Sequence, residues 1–213
     1  MLQTLRYAAW RGDGIASARL NPNFRYLRVT IAGRVVLLAL GNEDIDSLGP
    51  VEVWYSAERE VLRLQNGRLL GAVGLTAEWR NVVLPELPSW FTLARGDQAF
   101  RWTRIRDVMP GYRFGVRDAL SVRVIAQPGR SEFQGANVDA LTWFEERVDS
   151  GSVAGLFGGG GVVGGEVLPP ARYAVDIRDG KETVVYGEQC LARDLCFTWQ
   201  RWPVQGQSAT GQK

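Results

Sequence analysis

Glu145 and Glu146 form the only adjacent carboxylate pair inside a strand-like segment, Leu141–Val148 (LTWFEERV). Paired acids are what glycoside hydrolysis uses, but neighbours on a strand point to opposite faces and cannot flank one scissile bond. Solvation or pairing with arginine is their expected role. A second possible chemistry lies in Arg101, Arg104 and Arg106, followed by Arg113, Arg117 and Arg123. They could form a basic surface for an anionic polymer or a lipid head group. Asp107 and Asp118 dilute that charge, so the expectation is solvent-facing arginines whose stems cover apolar neighbours. Of eight tryptophans, Trp54, Trp102, Trp143, Trp199 and Trp202 fall in strand-like runs. Such aromatics are mostly core residues, leaving one or two for a glycan-binding groove. Cys190 and Cys196, in CLARDLC, are the only cysteines. If Leu191–Leu195 holds a hairpin turn, they face one another across adjacent strands, with Cα atoms within the roughly 4.4–6.8 Å of a disulfide. The alternative is two buried free thiols.

The sequence has no histidine. That removes nucleophilic triads as usually built, the commonest neutral-pH general base and the commonest metal ligand. Two cysteines are too few for a cysteine-rich zinc site. No catalytic, cofactor-binding or metal-binding residue is therefore assigned. The glycine-rich Ser150–Pro170 superficially resembles a phosphate-cradling loop, but lacks the Gly-Lys-Ser/Thr ending. It reads as a flexible loop. A net charge of +2 over 213 residues does not suit a nucleic-acid partner. The longest apolar run, Val35–Leu40, is far too short to span a bilayer as a helix.

The elements that must position these residues are short strands separated by Gly, Pro, Asn and Asp. Phe24–Ile31 and Val35–Leu40 make a hairpin around Ala32-Gly33-Arg34, and Gly41–Asp44 is expected to break the chain. Val51–Ser56 leads into Glu60–Leu75 (EVLRLQNGRLLGAVGL), where Val61, Arg63 and Gln65 should face one way and Leu62 and Leu64 the other. Asn66-Gly67 predicts a two-residue hairpin tip, since both positions need positive φ. Gln98–Val108 and Phe114–Ala126 are joined by Met109–Arg113, with a Pro-Gly turn. In the second of these, Val116, Leu120, Val122 and Val124 share a face. Tyr173–Ile177, Glu182–Glu188 and Leu195–Trp202 complete the series. Helix signals are confined to Leu2–Trp10 and Ala77–Val83. The expected fold is all-β and mainly antiparallel, a sandwich or barrel with one or two short helices. A single domain over 1–205 holds the 150–170 loop, and the tail 206–213 is expected to be disordered.

Val51–Arg80 (VEVWYSAEREVLRLQNGRLLGAVGLTAEWR) resembles the YjbF/GfcB-type group 4 capsule polysaccharide lipoprotein family. The shared features are Trp54 ahead of a strand, a strand ending in Asn66-Gly67-Arg68, and Gly74-Leu75 closing the return strand. The likeness extends less sharply from Tyr26–Leu40 through Met109–Tyr112. It implies an exported, mainly antiparallel β protein, held by an N-terminal lipid at the periplasmic face of the outer membrane. Its implied role is a non-enzymatic accessory of capsule or exopolysaccharide secretion, with the export machinery or the exopolysaccharide as partner. The lipid-bearing cysteine and its signal are not in this sequence, which fits a chain trimmed to the mature domain. Gly151–Gly165 and the end after Trp202 depart from the family pattern. An oxidising periplasm implies that Cys190 and Cys196 are bonded. Two other readings remain open: a barrel carrying a lipid or other apolar ligand, which needs a wide apolar interior, and a hydrolase with two facing acids in one cleft.

Overall fold

The computed structural model describes residues 20–135, 138–149 and 167–203. Among the described residues, twelve antiparallel strands each pair with their chain neighbours, and the first closes on the last to complete a barrel. They are β1 (Tyr26–Ile31), β2 (Arg34–Asp46), β3 (Gly49–Tyr55), β4 (Val61–Gln65), β5 (Arg68–Val73) and β6 (Glu78–Val83). After a short helix, α1 (Trp90–Ala94), come β7 (Phe100–Met109), β8 (Arg113–Ile125), β9 (Thr142–Val148), β10 (Ala171–Arg178), β11 (Lys181–Ala192) and β12 (Leu195–Trp202). The fold is all-β and antiparallel, as expected, and of the two architectures it is the barrel. Closure pairs the outer strands and leaves no open sheet edge.

Period-two alternation decides what lies inside. Across β1, β12 and β2, Leu27, Val29 and Ile31 register with Arg201, Trp199 and Phe197 on one side and with Leu38, Val36 and Arg34 on the other. The interior is packed by large side chains, with Trp54, Trp79, Trp90, Trp199, Arg106 and Tyr173 all fully buried. A smaller cluster, Trp143, Ala174 and Tyr186, lies on the outer wall under Phe133 and Val138 of the β8–β9 connection. The Tyr186 hydroxyl accepts the Glu132 backbone N–H at 3.1 Å, and Gln200 and Gln134 bond reciprocally.

Several expectations are corrected. The chain does not break at Gly41–Asp44: β2 continues to Asp46 through a bulge between Leu40 and Asn42. Gly41 allows this because a Cβ there would meet the Tyr55 ring at 2.5 Å. Ala77–Val83 is not helical; Glu78–Val83 is β6, and pairing with β7 overrides its helical propensity. The helix instead follows Pro88, where the Ser89 side chain accepts the Thr92 N–H as an N-cap. Gln65, expected to share a face with Val61 and Arg63, is 4% exposed where they are half-buried, and its amide donates to the Asp46 carboxylate and the Gly49 carbonyl. The Leu2–Trp10 helix, the Ser150–Pro170 loop up to Glu166, and the tail 206–213 lie outside the described residues.

The turns divide between two ends. One carries Ser47-Leu48, Asn66-Gly67, Asp179-Gly180 and α1, and the other carries Ala32-Gly33, Pro110–Tyr112 and Arg193-Asp194.

Candidate functional site

Arg104 and Arg106 share the parity of Trp102 and Val108 on β7, and Asp118 shares that of Val116 and Leu120 on β8. Alternation therefore drives all three charges into the barrel. Arg104 and Arg106 are buried rather than solvent-facing, which corrects the reading of β7 as part of a basic surface. Arg104 donates to Asp118 through Nε and Nη2 at 3.0 and 2.8 Å. Arg106 donates through Nε and Nη2 at 2.6 and 3.2 Å. Both guanidiniums lie over the Trp79 ring, at 4.4 and 4.8 Å. Burial acts to raise the Asp118 pKa, but the Arg106 and Arg104 hydrogen bonds and charges hold it below the ordinary carboxylate value.

The second buried pair comes from the hairpin tip. Asn66 and Gly67 have φ of 48° and 80°. Directly after them Arg68 enters the barrel, where its Nε donates to Glu146 at 2.6 Å. The Tyr173 hydroxyl donates to the other Glu146 oxygen at 3.3 Å. Burial and the Glu146 charge push the Tyr173 pKa well above that of an ordinary phenol. Trp90 of α1 lies 3.8 Å from the Arg68 guanidinium and packs on Phe144 and Tyr173. Its indole N–H donates to the Asn66 carbonyl at 3.0 Å, and the Phe91 N–H donates to Glu182 at 2.8 Å. The helix is thereby pinned to the hairpin tip and to β11. Arg68 Nη2 is buried and has no hydrogen-bond partner among the described residues.

At this helix-bearing mouth lies a cavity of about 360 Å³, with Arg68, Gln65, Asn66, Ser47, Glu86 and Glu182 in its wall. A smaller one of about 130 Å³ adjoins it through Asn66, Trp90 and Glu182. Deeper in the barrel, between Trp79, Arg104, Glu146 and Gln189, the space is about 20 Å³, too little for an acyl chain. Among the described residues, the interior thus shows no wide apolar lumen of the kind a lipid carrier requires. Among the described residues, no cluster of His, Cys, Asp and Glu has the arrangement of a metal site.

Glu145 and Glu146 do face opposite ways. On the outer wall Glu145 meets Arg147 at 2.6 Å, Arg123 at 3.3 Å and Arg172 at 3.5 Å. Burial opposes ionisation of Glu145, but these arginines, Arg147 foremost, lower its pKa. Of the tryptophans, Trp54, Trp79, Trp90, Trp102, Trp143 and Trp199 are buried, and Trp202 is half-buried. Cys190 and Cys196 pair across β11 and β12 as a disulfide. Their Cα atoms are 3.9 Å apart, closer than the expected range, beside the bulge between Cys190 and Ala192. Sequence reasoning took Asp118 only as diluting a surface charge and Arg68 only as the end of a strand, and did not name Trp90. For Asp118 the usable signal was a charge at core parity, and for Arg68 its place after a forced turn.

A sequence model of a family described as "Group 4 capsule polysaccharide lipoprotein gfcB, YjbF" matches residues 19–155. No curated protein matches significantly. The crystal structure of the hypothetical lipoprotein YmcC from Escherichia coli K12 superposes with a TM-score of 0.57 at 17% identity, covering 85% of each chain. At that identity the likeness is one of fold.

Proposed function

The chain belongs to the group 4 capsule polysaccharide lipoprotein family, and from that premise we propose that it is a non-enzymatic accessory of capsule or exopolysaccharide secretion. It works at the periplasmic face of the outer membrane, tethered by an N-terminal lipid, and contacts the polymer or the export machinery. The observation that carries the non-enzymatic part is the state of the buried acids. Asp118, Glu145 and Glu146 each accept hydrogen bonds from arginine, so their oxygens are engaged in structure. Asp118 and Glu145, whose pKa values their arginines lower, are poor proton donors to a glycosidic oxygen. The same location favours an oxidised Cys190–Cys196 pair.

A second reading, a carboxylate-based glycan hydrolase, draws on one feature: Glu86 and Glu182 both line the mouth cavity. Incubating the purified chain with the host's own polysaccharide separates the two. The accessory reading predicts no new reducing ends. Reducing ends that disappear in Glu86→Gln or Glu182→Gln would establish the hydrolase instead.

A further inference from the structure

We propose that the mouth cavity is a binding subsite for one or two neutral pyranose units of a polysaccharide. The inference rests on the secretion reading for the source of the sugar, but its site and chemistry come from the cavity itself. At about 360 Å³ the cavity sits at the lower end of the size range for small-ligand pockets. Its wall presents donors and acceptors side by side: the Arg68 guanidinium, the Asn66 amide, the Ser47 hydroxyl, and the Glu86 and Glu182 carboxylates. Leu84, Leu87 and the Pro85 and Pro88 rings give the same wall an apolar ledge. Vicinal sugar hydroxyls both donate and accept, while a pyranose C–H face is apolar, so one sugar ring can use both kinds of surface.

Charge decides against an acidic sugar. Arg68 is already neutralised by Glu146 at 2.6 Å, so it offers a hydrogen bond more than a net positive charge. Glu86 and Glu182 add two negative charges on the wall. A uronate or phosphate would meet these carboxylates across a short gap, whereas a hydroxyl would donate to them. Arg68, whose Nη2 is buried without a partner among the described residues, belongs to this wall, and a sugar oxygen that displaced a neighbouring side chain would satisfy that donor. The site is also well held. Trp90 lies against the Arg68 guanidinium and donates its indole N–H to the Asn66 carbonyl, so helix, arginine and hairpin tip are fixed together.

The Trp90 indole N–H is a local reporter for nuclear magnetic resonance. Methyl pyranosides of gluco, galacto and manno configuration, and their disaccharides, are titrated into the labelled chain. Glucuronate and the host's own polysaccharide are titrated in parallel. The expected result is a saturable shift of the Trp90 indole and Asn66 amide signals with at least one neutral sugar, unchanged at 0.5 M salt as screening requires. Ser47→Trp, at an exposed position in the cavity wall, should weaken that binding at least tenfold while the rest of the spectrum keeps its folded dispersion. Unmoved mouth signals with every neutral sugar, tighter and salt-sensitive binding of glucuronate, or full affinity in Ser47→Trp would each overturn the proposal. If the host polymer instead shifts signals only elsewhere on the barrel, this site is wrong while the secretion reading stands.

Discussion

Glu145 and Glu146 are chain neighbours on β9, yet they belong to different electrostatic worlds. Glu145, on the outer wall, is screened by Arg123 and Arg147, whose own side chains are 55% and 53% exposed. Glu146, inside the barrel, relies on an Arg68 side chain that is 5% exposed. Asp118 carries the interior case further, with two arginines on a carboxylate that is 0% exposed. The three interior arginines carry +3 and the two carboxylates −2, so the buried set keeps a charge of +1. The contrast teaches that counting ion pairs says little about their weight. An outer pair can exchange its partner for water, whereas an inner pair has no substitute, so removing one member strands a buried charge.

The largest effect should come from Asp118→Ala, which leaves Arg104 and Arg106 buried without their counter-ion. We expect a loss of about 3–5 kcal/mol in urea unfolding. A loss below about 1 kcal/mol would mean that the interior is wet and would break the comparison.

Gly67→Val comes next. A Cβ at Gly67 would sit 2.6 Å from the Val184 side chain, at a φ of +80°. Overpacking and backbone strain together should cost about 2–3 kcal/mol. Wild-type stability in this variant would show that the hairpin tip is not held against β11.

The pH dependence sharpens the same contrast. The native Asp118 pKa lies below its unfolded value of about 3.9, so its contribution is complete above that value and is lost as pH falls through the native one. Tyr173 has the opposite sign. Its native pKa is raised, so its contribution is complete below about pH 10 and is lost as pH rises beyond that. Tyr186, raised by burial and by Glu188, adds to the alkaline limb. Unfolding free energy measured against pH should therefore fall at both extremes, and Tyr173→Phe should flatten part of the alkaline fall. An alkaline limb unchanged by that substitution would contradict the buried Tyr173–Glu146 contact.

The smallest effects belong outside. Reducing the Cys190–Cys196 bond opens a short ring and should cost about 2 kcal/mol or less. Protein from an oxidising compartment should resist alkylation until reduced, and two freely alkylated thiols would refute the bond. Glu145→Gln should change stability by about 1 kcal/mol or less, because its arginines remain hydrated. A loss matching that of Asp118→Ala would erase the distinction between the two walls.

Much of the fold was legible because period-two alternation and turn chemistry are local. Asn66-Gly67, Pro110-Gly111 and the run from Tyr173 to Trp202 announced their hairpins. The β2 extension past Gly41 and strand β6 were not legible, since bulges and pairing partners are set by neighbours distant in sequence. Charges inside the barrel were harder still. Arg104, Arg106 and Asp118 each read as surface residues until register placed them opposite one another. The mouth cavity needed α1, the hairpin tip and β11 together, and no single stretch announces that meeting.

The most direct test of the accessory role is the fate of polysaccharide in a host lacking this protein. Surface polymer should fall and periplasmic polymer should accumulate, with its chain length unchanged, and restoring the wild-type protein should restore export. Normal surface polymer in the deletion strain, or polymer of altered chain length, would contradict the account.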